Sequence, residues 1–171
     1  MKKLVSIALL ALFALSLGFC VVAGASQSPA GTVDRVVVYK SKRRLILLSG
    51  GKRLRSYRVA LGGSPVGPKR REGDHRTPEG HYMLDARNEQ SHYYKAFHIS
   101  YPNAQDAAKA KEMGVSPGGD IMLHALPKEY SWAGKMQALY DWTDGCIAIS
   151  DEEMDELWTL IKVPTPIDIY P

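Results

Sequence analysis

From Val33 onward the chain is broken every few residues by glycine, and the stretches between the breaks are β-branched or leucine-rich. Val33-Asp34-Arg35-Val36-Val37-Val38-Tyr39-Lys40 is followed by Leu45-Ile46-Leu47-Leu48, by Gly50-Gly51, and by Leu54-Arg55-Ser56-Tyr57-Arg58-Val59-Ala60-Leu61. Short β-branched runs punctuated in this way predict strands joined by hairpins. Residues 62–80 are rich in glycine and proline and read as a long turn-bearing connection, after which 81–84 and 96–101 look extended again. Residues 103–114 carry Ala104, Ala107, Ala108, Ala110 and Met113 among charges, with Gly114 as the stop, and predict a surface helix.

Ser116-Pro117-Gly118-Gly119 breaks the chain before Ile121-Met122-Leu123-His124-Ala125-Leu126, which is expected as a central strand, and 145–149 as another. Ser150-Asp151-Glu152-Glu153 ahead of Met154, Leu157, Trp158 and Ile161 is a capping box: the Ser150 hydroxyl accepts from the first turn and Glu153 reaches back. Pro164 ends that helix, and 165–170 are expected as a final strand at the domain's edge. The expected fold class is mainly β (α+β), a β-sandwich or mixed sheet with two or three peripheral helices, without internal repeats.

The start of the chain has a different character. Lys2 and Lys3 precede a run without charge from Leu4 to Ala25 that closes in Ala23-Gly24-Ala25, a small-x-small triplet. That pattern predicts an export signal over 1–25, cut after Ala25, and a flexible 26–32 ahead of a single domain over 33–171. Left uncut, the same run would hold the protein to a membrane. Cys20 is a poor lipidation site because Phe19, not a small residue, precedes it. Removing 25 of 171 residues leaves 146, enough for one cored domain and too few for two.

Without Lys2 and Lys3 the 22 basic residues become 20 against 18 acidic ones, so the mature charge of +2 points to no particular partner. Lys42-Arg43-Arg44, Lys52-Arg53-Leu54-Arg55 and Lys69-Arg70-Arg71 read as solvated faces rather than a polyanion site. Few aromatic residues interleave with them, so no nucleic-acid partner is expected.

Of the two cysteines only Cys146 would survive signal cleavage, and an unpaired thiol in an exported protein suggests reactivity. A thiol attacks as the thiolate and needs a base nearby. Thr143-Asp144-Gly145-Cys146 puts a glycine before the sulfur, which permits a tight turn and lets the backbone N–H groups of Asp144, Gly145 and Cys146 face a reacting carbonyl oxygen. Of His75, His81, His92, His98 and His124, only His124 sits in a strongly apolar run, where a titratable group is costly unless used or satisfied. A metal held by Cys146, His124 and Asp144 is a rival reading, but no tight ligand spacing accompanies it.

Pro117-Gly118-Gly119-Asp120-Ile121-Met122-Leu123-His124, the 22 positions from His124 to Cys146, and Thr143-Asp144-Gly145-Cys146 together resemble the catalytic half of an L,D-transpeptidase (YkuD-type) domain. Gly73-Asp74-His75-Arg76-Thr77-Pro78-Glu79-Gly80 and Ser100-Tyr101-Pro102-Asn103 resemble further segments of that family. Two positions depart from it: Asp144 stands where many members have histidine, and Ala148 where they have arginine or asparagine. Gly145-Cys146-Ile147-Ala148-Ile149-Ser150 is similar to the YafK-like branch instead, which is associated with hydrolysis.

The resemblance implies an acyl-transfer enzyme of the periplasm with Cys146 as nucleophile and His124 as base, acting on peptidoglycan stem peptides without a cofactor or a metal. It would cross-link the wall or attach an outer-membrane lipoprotein, as a monomer. Arg76, Thr77, Gly80, Thr143 and Trp142 are implied as substrate-binding residues, though the first three read equally as turn structure. With Ala125 after the histidine, only a backbone carbonyl is left to orient the imidazole. Hydrolysis by the same site, and a wall-binding module without catalysis, are the alternatives. The 132–142 segment, with Trp132, Met136, Leu139, Tyr140 and Trp142 in helix-like spacing, reads as a cover over the cleft or a helix packed on the sheet.

Overall fold

The computed structural model describes residues 31–171, so the expected export signal, its cleavage site and Cys20 lie outside the described residues. Eight strands form one mixed sheet: β1 (Arg35–Tyr39), β2 (Arg44–Ser49), β3 (Lys52–Arg58), β4 (Gly80–Ser91), β5 (Tyr94–Ile99), β6 (Met122–His124), β7 (Ile147–Ala148) and β8 (Thr165–Tyr170), in the spatial order β3-β2-β1-β8-β4-β5-β6-β7. Helices α1 (Ala104–Glu112) and α2 (Asp151–Leu160) and a 3₁₀ segment, Lys128–Leu139, complete the fold. None of the described helices is long and apolar enough to cross a membrane.

The glycine-punctuated hairpins form as the pattern requires. β1 pairs antiparallel with β2 and β2 with β3, with Gly50 and Gly51 both at positive φ in the second turn. Alternation buries Val36, Val38, Leu45 and Leu47 in one core with Leu84, Phe97, Ile99, Leu123, Ile147, Ile167 and Ile169. Helix α2 closes that core with Met154 and Leu157, and its capping box is present: Ser150 Oγ accepts from the Glu153 N–H at 3.3 Å and the Ser150 N–H donates to the Glu153 carboxylate at 3.2 Å. Asn103 caps α1 in the same way, with Asp106 reaching back.

Two expectations are corrected. The last strand is not at the edge: β8 lies in the middle, parallel to β1 on one side and antiparallel to β4 on the other. Its one acidic residue, Asp168, accepts from Arg35 at 2.6 Å and pairs with His81 at 2.7 Å, which makes an interior carboxylate tolerable. The 132–142 segment is neither a regular helix nor packed on the sheet as one. Its 3₁₀ turns break at Gly134, only Gln137 and Ala138 are buried, and Trp132 and Leu139 stand in solvent. The expected extended run at 81–84 is also longer, continuing to Ser91 as one arm of a hairpin.

One feature of the topology positions the site. The chain leaving β3 crosses to the opposite edge of the sheet, where Ala60 bridges Ala148 and Gly62 bridges Thr143, so the sheet curls back on itself beside β7.

Candidate active site

Cys146 sits on the turn that enters β7, and that turn is held from within and from outside. Thr143 Oγ1 donates to the Cys146 carbonyl at 2.7 Å and accepts from the Gly145 N–H at 3.2 Å. The Thr143 N–H donates to the Leu61 carbonyl at 3.1 Å, and the Gly63 N–H to the Thr143 carbonyl at 3.0 Å. Gly145 has φ +130, and a Cβ there would lie 2.6 Å from the Arg76 carbonyl oxygen. A Cβ on Gly62 would lie 2.3 Å from the His75 carbonyl oxygen. Three backbone segments therefore meet behind the sulfur with no space for side chains.

His124 ends β6, which runs parallel to β7. In register it lies opposite Ala148, two residues beyond Cys146, so the strand that ends in the imidazole runs beside the turn that carries the thiol. The histidine is 2% exposed, and its Nδ1 lies 2.6 Å from the Ala125 carbonyl oxygen. A carbonyl only accepts, so Nδ1 carries the hydrogen and Nε2 keeps its lone pair for a proton. Two rings clamp the imidazole: Tyr93 at a centroid distance of 4.3 Å and Trp142 at 5.7 Å, edge-on. The thiol is partly exposed; the Met122 N–H donates to Sγ at 3.4 Å, and Sγ lies 3.7 Å from the Asp120 carbonyl oxygen.

Burial sets the protonation of this pair. It pushes the His124 imidazole down to about 4, against a smaller upward pull from the Ala125 carbonyl. It also pushes the Cys146 thiol up, with Asp144 and Asp120 adding to the rise and the Met122 N–H and Lys69 opposing it. Both changes favour the uncharged forms, so at neutral pH the site holds a thiol beside a neutral imidazole. Such a pair can perform nucleophilic attack with concerted proton removal.

Residues 33–169 match the YkuD model, the L,D-transpeptidase catalytic domain. The chain belongs to this family. This L,D-transpeptidase domain is 29% identical over 159 residues to YafK of Escherichia coli K12, an alignment covering 85% of this chain and 56% of that protein. Among solved structures it resembles the helical cell shape determining protein Pgp2 from Campylobacter jejuni (26% identity, TM-score 0.60, 80% of this chain and 47% of that one). It also resembles Bd1075 of Bdellovibrio bacteriovorus (27%, TM-score 0.58, 82% and 49%). An L,D-transpeptidase from Mycobacterium smegmatis shares the fold at 17% identity and a TM-score of 0.52, over 80% of this chain and 58% of that one. The chain thus spans about half the length of these relatives.

Within the L,D-transpeptidase domain, the residues singled out from sequence separate into two groups. Cys146, His124, Thr143, Asp144, Gly145 and Trp142 come together at the β6–β7 edge. The Gly145 N–H is taken by Thr143, whereas the amides of Asp144 and Cys146 find no acceptor among the described residues. Asp144 turns its carboxylate out to His75 at 2.7 Å, with 90% of the side chain exposed. Thr77 is fully buried and accepts from the Gly62 N–H at 3.0 Å, and Gly80 packs on the Tyr82 ring, so both serve the turn and the strand start. Arg76 contributes its backbone behind Gly145 and is partly buried as a residue.

Among the described residues no three His, Cys, Asp or Glu side chains gather as a metal ligand set. Tyr93 was not singled out from sequence; its signal was an aromatic pair, Tyr93-Tyr94, in an otherwise polar stretch. A cavity of ≈ 470 Å³ adjoins the site across Trp142, roofed by the 3₁₀ segment and lined by Leu126, Tyr130, Trp132 and Met136; neither Cys146 nor His124 lines it.

Proposed function

We propose that this domain is a cysteine acyltransferase of the cell envelope that acts on peptidoglycan stem peptides. The observation that carries the reading is that β6, ending in the buried His124 tied at Nδ1 to the Ala125 carbonyl, runs parallel and adjacent to β7, whose entry turn carries the partly exposed Cys146.

In this mechanism the Cys146 sulfur attacks the carbonyl carbon of the third stem residue while His124 Nε2 takes the thiol proton. The free amides of Asp144 and Cys146 supply hydrogen bonds to the developing oxyanion, a class of donor worth about 3 kcal/mol each. The imidazolium returns its proton to the leaving amine as the C–N bond breaks, leaving a thioester on Cys146. An amine from a second stem or a lipoprotein then attacks the thioester, His124 removes its proton, and the new amide leaves with the thiol restored. Water in place of that amine gives hydrolysis.

Incubation with a carbapenem followed by intact-protein mass spectrometry tests the nucleophile. The wild type gains the mass of one acyl group and Cys146→Ser gains none; a wild type that stays unmodified rules the reading out and favours a wall-binding module. Purified muropeptides then separate the outcomes, since cross-linked dimers mark transfer and free stems alone mark hydrolysis.

A further inference from the structure

The 3₁₀ segment is pinned from beneath and has no partner above. Gln137 Nε2 donates to the Ala148 carbonyl at 3.2 Å, Trp142 Nε1 to the Gln137 side-chain oxygen at 3.2 Å, and Arg58 Nε to the Ala138 carbonyl at 3.0 Å. The segment and the residue after it expose Trp132 (75%), Leu139 and Tyr140 (69% each), Met136 (56%) and Tyr130 (55%). These are five of the nine large apolar side chains exposed among the described residues, so the exposure is concentrated rather than scattered. At about 200 Å² for a whole aromatic side chain, the three rings alone show about 400 Å². A patch of that size on a monomer marks an interaction site.

The rim of this patch is cationic. Arg58, whose guanidinium reaches the segment at Ala138, stands opposite Arg44 in the β2–β3 register, and neither has a carboxylate partner among the described residues. Like charges directly opposed across two strands destabilise a sheet. Arg44 also lines, with Lys42 and Arg53, a cavity of ≈ 620 Å³ on the outer face of that hairpin, beside Ile46 and Leu54. Lys135 adds an exposed cation from the segment itself. The carboxylates nearby are committed or turned away: Asp141 pairs with Arg43 at 2.6 Å, Glu156 with Arg55 at 2.6 Å, and Glu129 lines a different cavity beside Gln90 and His92. In sequence these basic clusters lack interleaved aromatic residues; the fold supplies them from 80 positions away.

An aromatic patch with a cationic rim matches the surface of an anionic bilayer. Trp and Tyr rings settle at the headgroup level, while Lys and Arg lay their stems along apolar surface and reach the phosphates. A second copy of the chain fits less well. The rim carries one sign and gains no complementary charge from itself, and the rings show only half of the roughly 800 Å² per partner that a stable dimer buries.

We infer that the outer side of the 3₁₀ segment and of the β2–β3 hairpin is a docking surface for an anionic phospholipid bilayer. This stands independently of the acyl-transfer reading. Trp142 lines the cavity under the segment and meets the His124 ring edge-on, so the docked face adjoins the candidate active site.

Vesicle co-sedimentation tests this on the form that begins at Ser26, which keeps every described element and lacks the apolar run of 4–25, a membrane-binding segment in its own right. Vesicles of phosphatidylcholine alone are compared with vesicles that also hold phosphatidylglycerol. At low salt the protein is expected to favour the anionic vesicles by about tenfold or more, and the preference fades as salt is added. Lys42→Gln, Arg44→Gln and Lys135→Gln, all at exposed positions, each weaken binding by about fivefold. Trp132→Ser with Leu139→Ser weakens it by about tenfold or more and abolishes the blue shift of tryptophan emission on binding. Urea midpoints equal to wild type show that the variants keep the fold.

No binding to the anionic vesicles, equal binding to both kinds, or binding untouched by Trp132→Ser with Leu139→Ser overturns the inference; the last result marks a site for soluble polyanions. A dimer in light scattering without lipid that the same two substitutions abolish also overturns it, because the face then belongs to a second copy.

Discussion

The protonation state of Cys146 before substrate arrives can be decided by magnitude. Moving the thiol proton to His124 would charge two groups that burial keeps neutral. With the thiol at no less than its ordinary 9.0 and His124 at about 4, the transfer spans about five pH units. At 1.36 kcal/mol per unit that is about 7 kcal/mol against the ion pair. Even with the two charges in contact at about 4 Å, their attraction would return no more than about 4 kcal/mol at the effective dielectric of a protein near its surface. The neutral pair wins by about 3 kcal/mol, less than 1% ionised.

Alkylation by iodoacetamide across pH, read by intact mass together with thiolate absorbance, measures this directly. The wild-type rate is expected to be slow at neutral pH and to climb with alkali, and His124→Gln to leave the low-pH limb unchanged. A plateau of reactive thiolate from about pH 5 upward that disappears in His124→Gln is the mark of a preformed ion pair and would refute the reasoning.

The same imidazole makes the fold acid-sensitive. The native protein refuses the proton until about 4 and the unfolded chain accepts it at 6.5, so the unfolded state binds more protons between those values and stability falls as pH falls through that window. The loss reaches about 3 kcal/mol, read as the difference in urea midpoints between wild type and His124→Gln at neutral and acid pH. Gly145→Ala forces a Cβ against the Arg76 carbonyl at a positive φ and is expected to cost about 1–3 kcal/mol in backbone strain, before any clash; muropeptide turnover should drop by more than the melting temperature implies. Lys40, 2% exposed, donates to the Gly67 carbonyl at 2.6 Å, the Thr77 carbonyl at 2.8 Å and the Glu79 carboxylate at 2.8 Å. Lys40→Met strands a carboxylate that is 17% exposed and is expected to destabilise by about 3–5 kcal/mol, lowering Tm by about 10 °C or more in a scan; a change under a few degrees contradicts it.

Local signals in the sequence were legible where a few neighbouring residues decide the outcome. Ser150 and Glu153 start α2, and the Val36–Val38 and Leu45–Leu47 alternation, split by a turn, makes a hairpin whichever sheet receives it. What was illegible is where strands sit. β8 carries Pro166 and Asp168, residue types that blunt an edge, yet it occupies the centre. Its place is decided by partners more than 80 positions away: Asp168 meets Arg35 and His81. The helix reading of the 132–142 segment failed for a related reason. Its apolar residues recur at helical spacing, but Gly134 breaks the turn and the large apolar side chains line a cavity or stand in solvent.

The site itself shows the same division. Cys146 and His124 stand out because each is anomalous for its surroundings, an unpaired thiol in an expected export product and a titratable ring in an apolar run. The groups that shape their surroundings do not stand out, because they act through backbone or through shape. The Ala125 carbonyl fixes the tautomer, the Tyr93 and Trp142 rings help to desolvate the imidazole, and Gly62 and Gly145 let three chains close up behind the sulfur. Desolvation is what these have in common, and it has a chemical consequence: an imidazole held near 4 is uncharged at neutral pH and keeps its Nε2 lone pair free. A weak base is a poor match to a thiol whose own proton is held more firmly, so in the proposed mechanism the pair stays inert until an acyl donor fills the cleft and the amides of Asp144 and Cys146 take up the negative charge that the sulfur passes on. In that mechanism reactivity is tied to occupancy, and a thiol held protonated is oxidised more slowly than a standing thiolate.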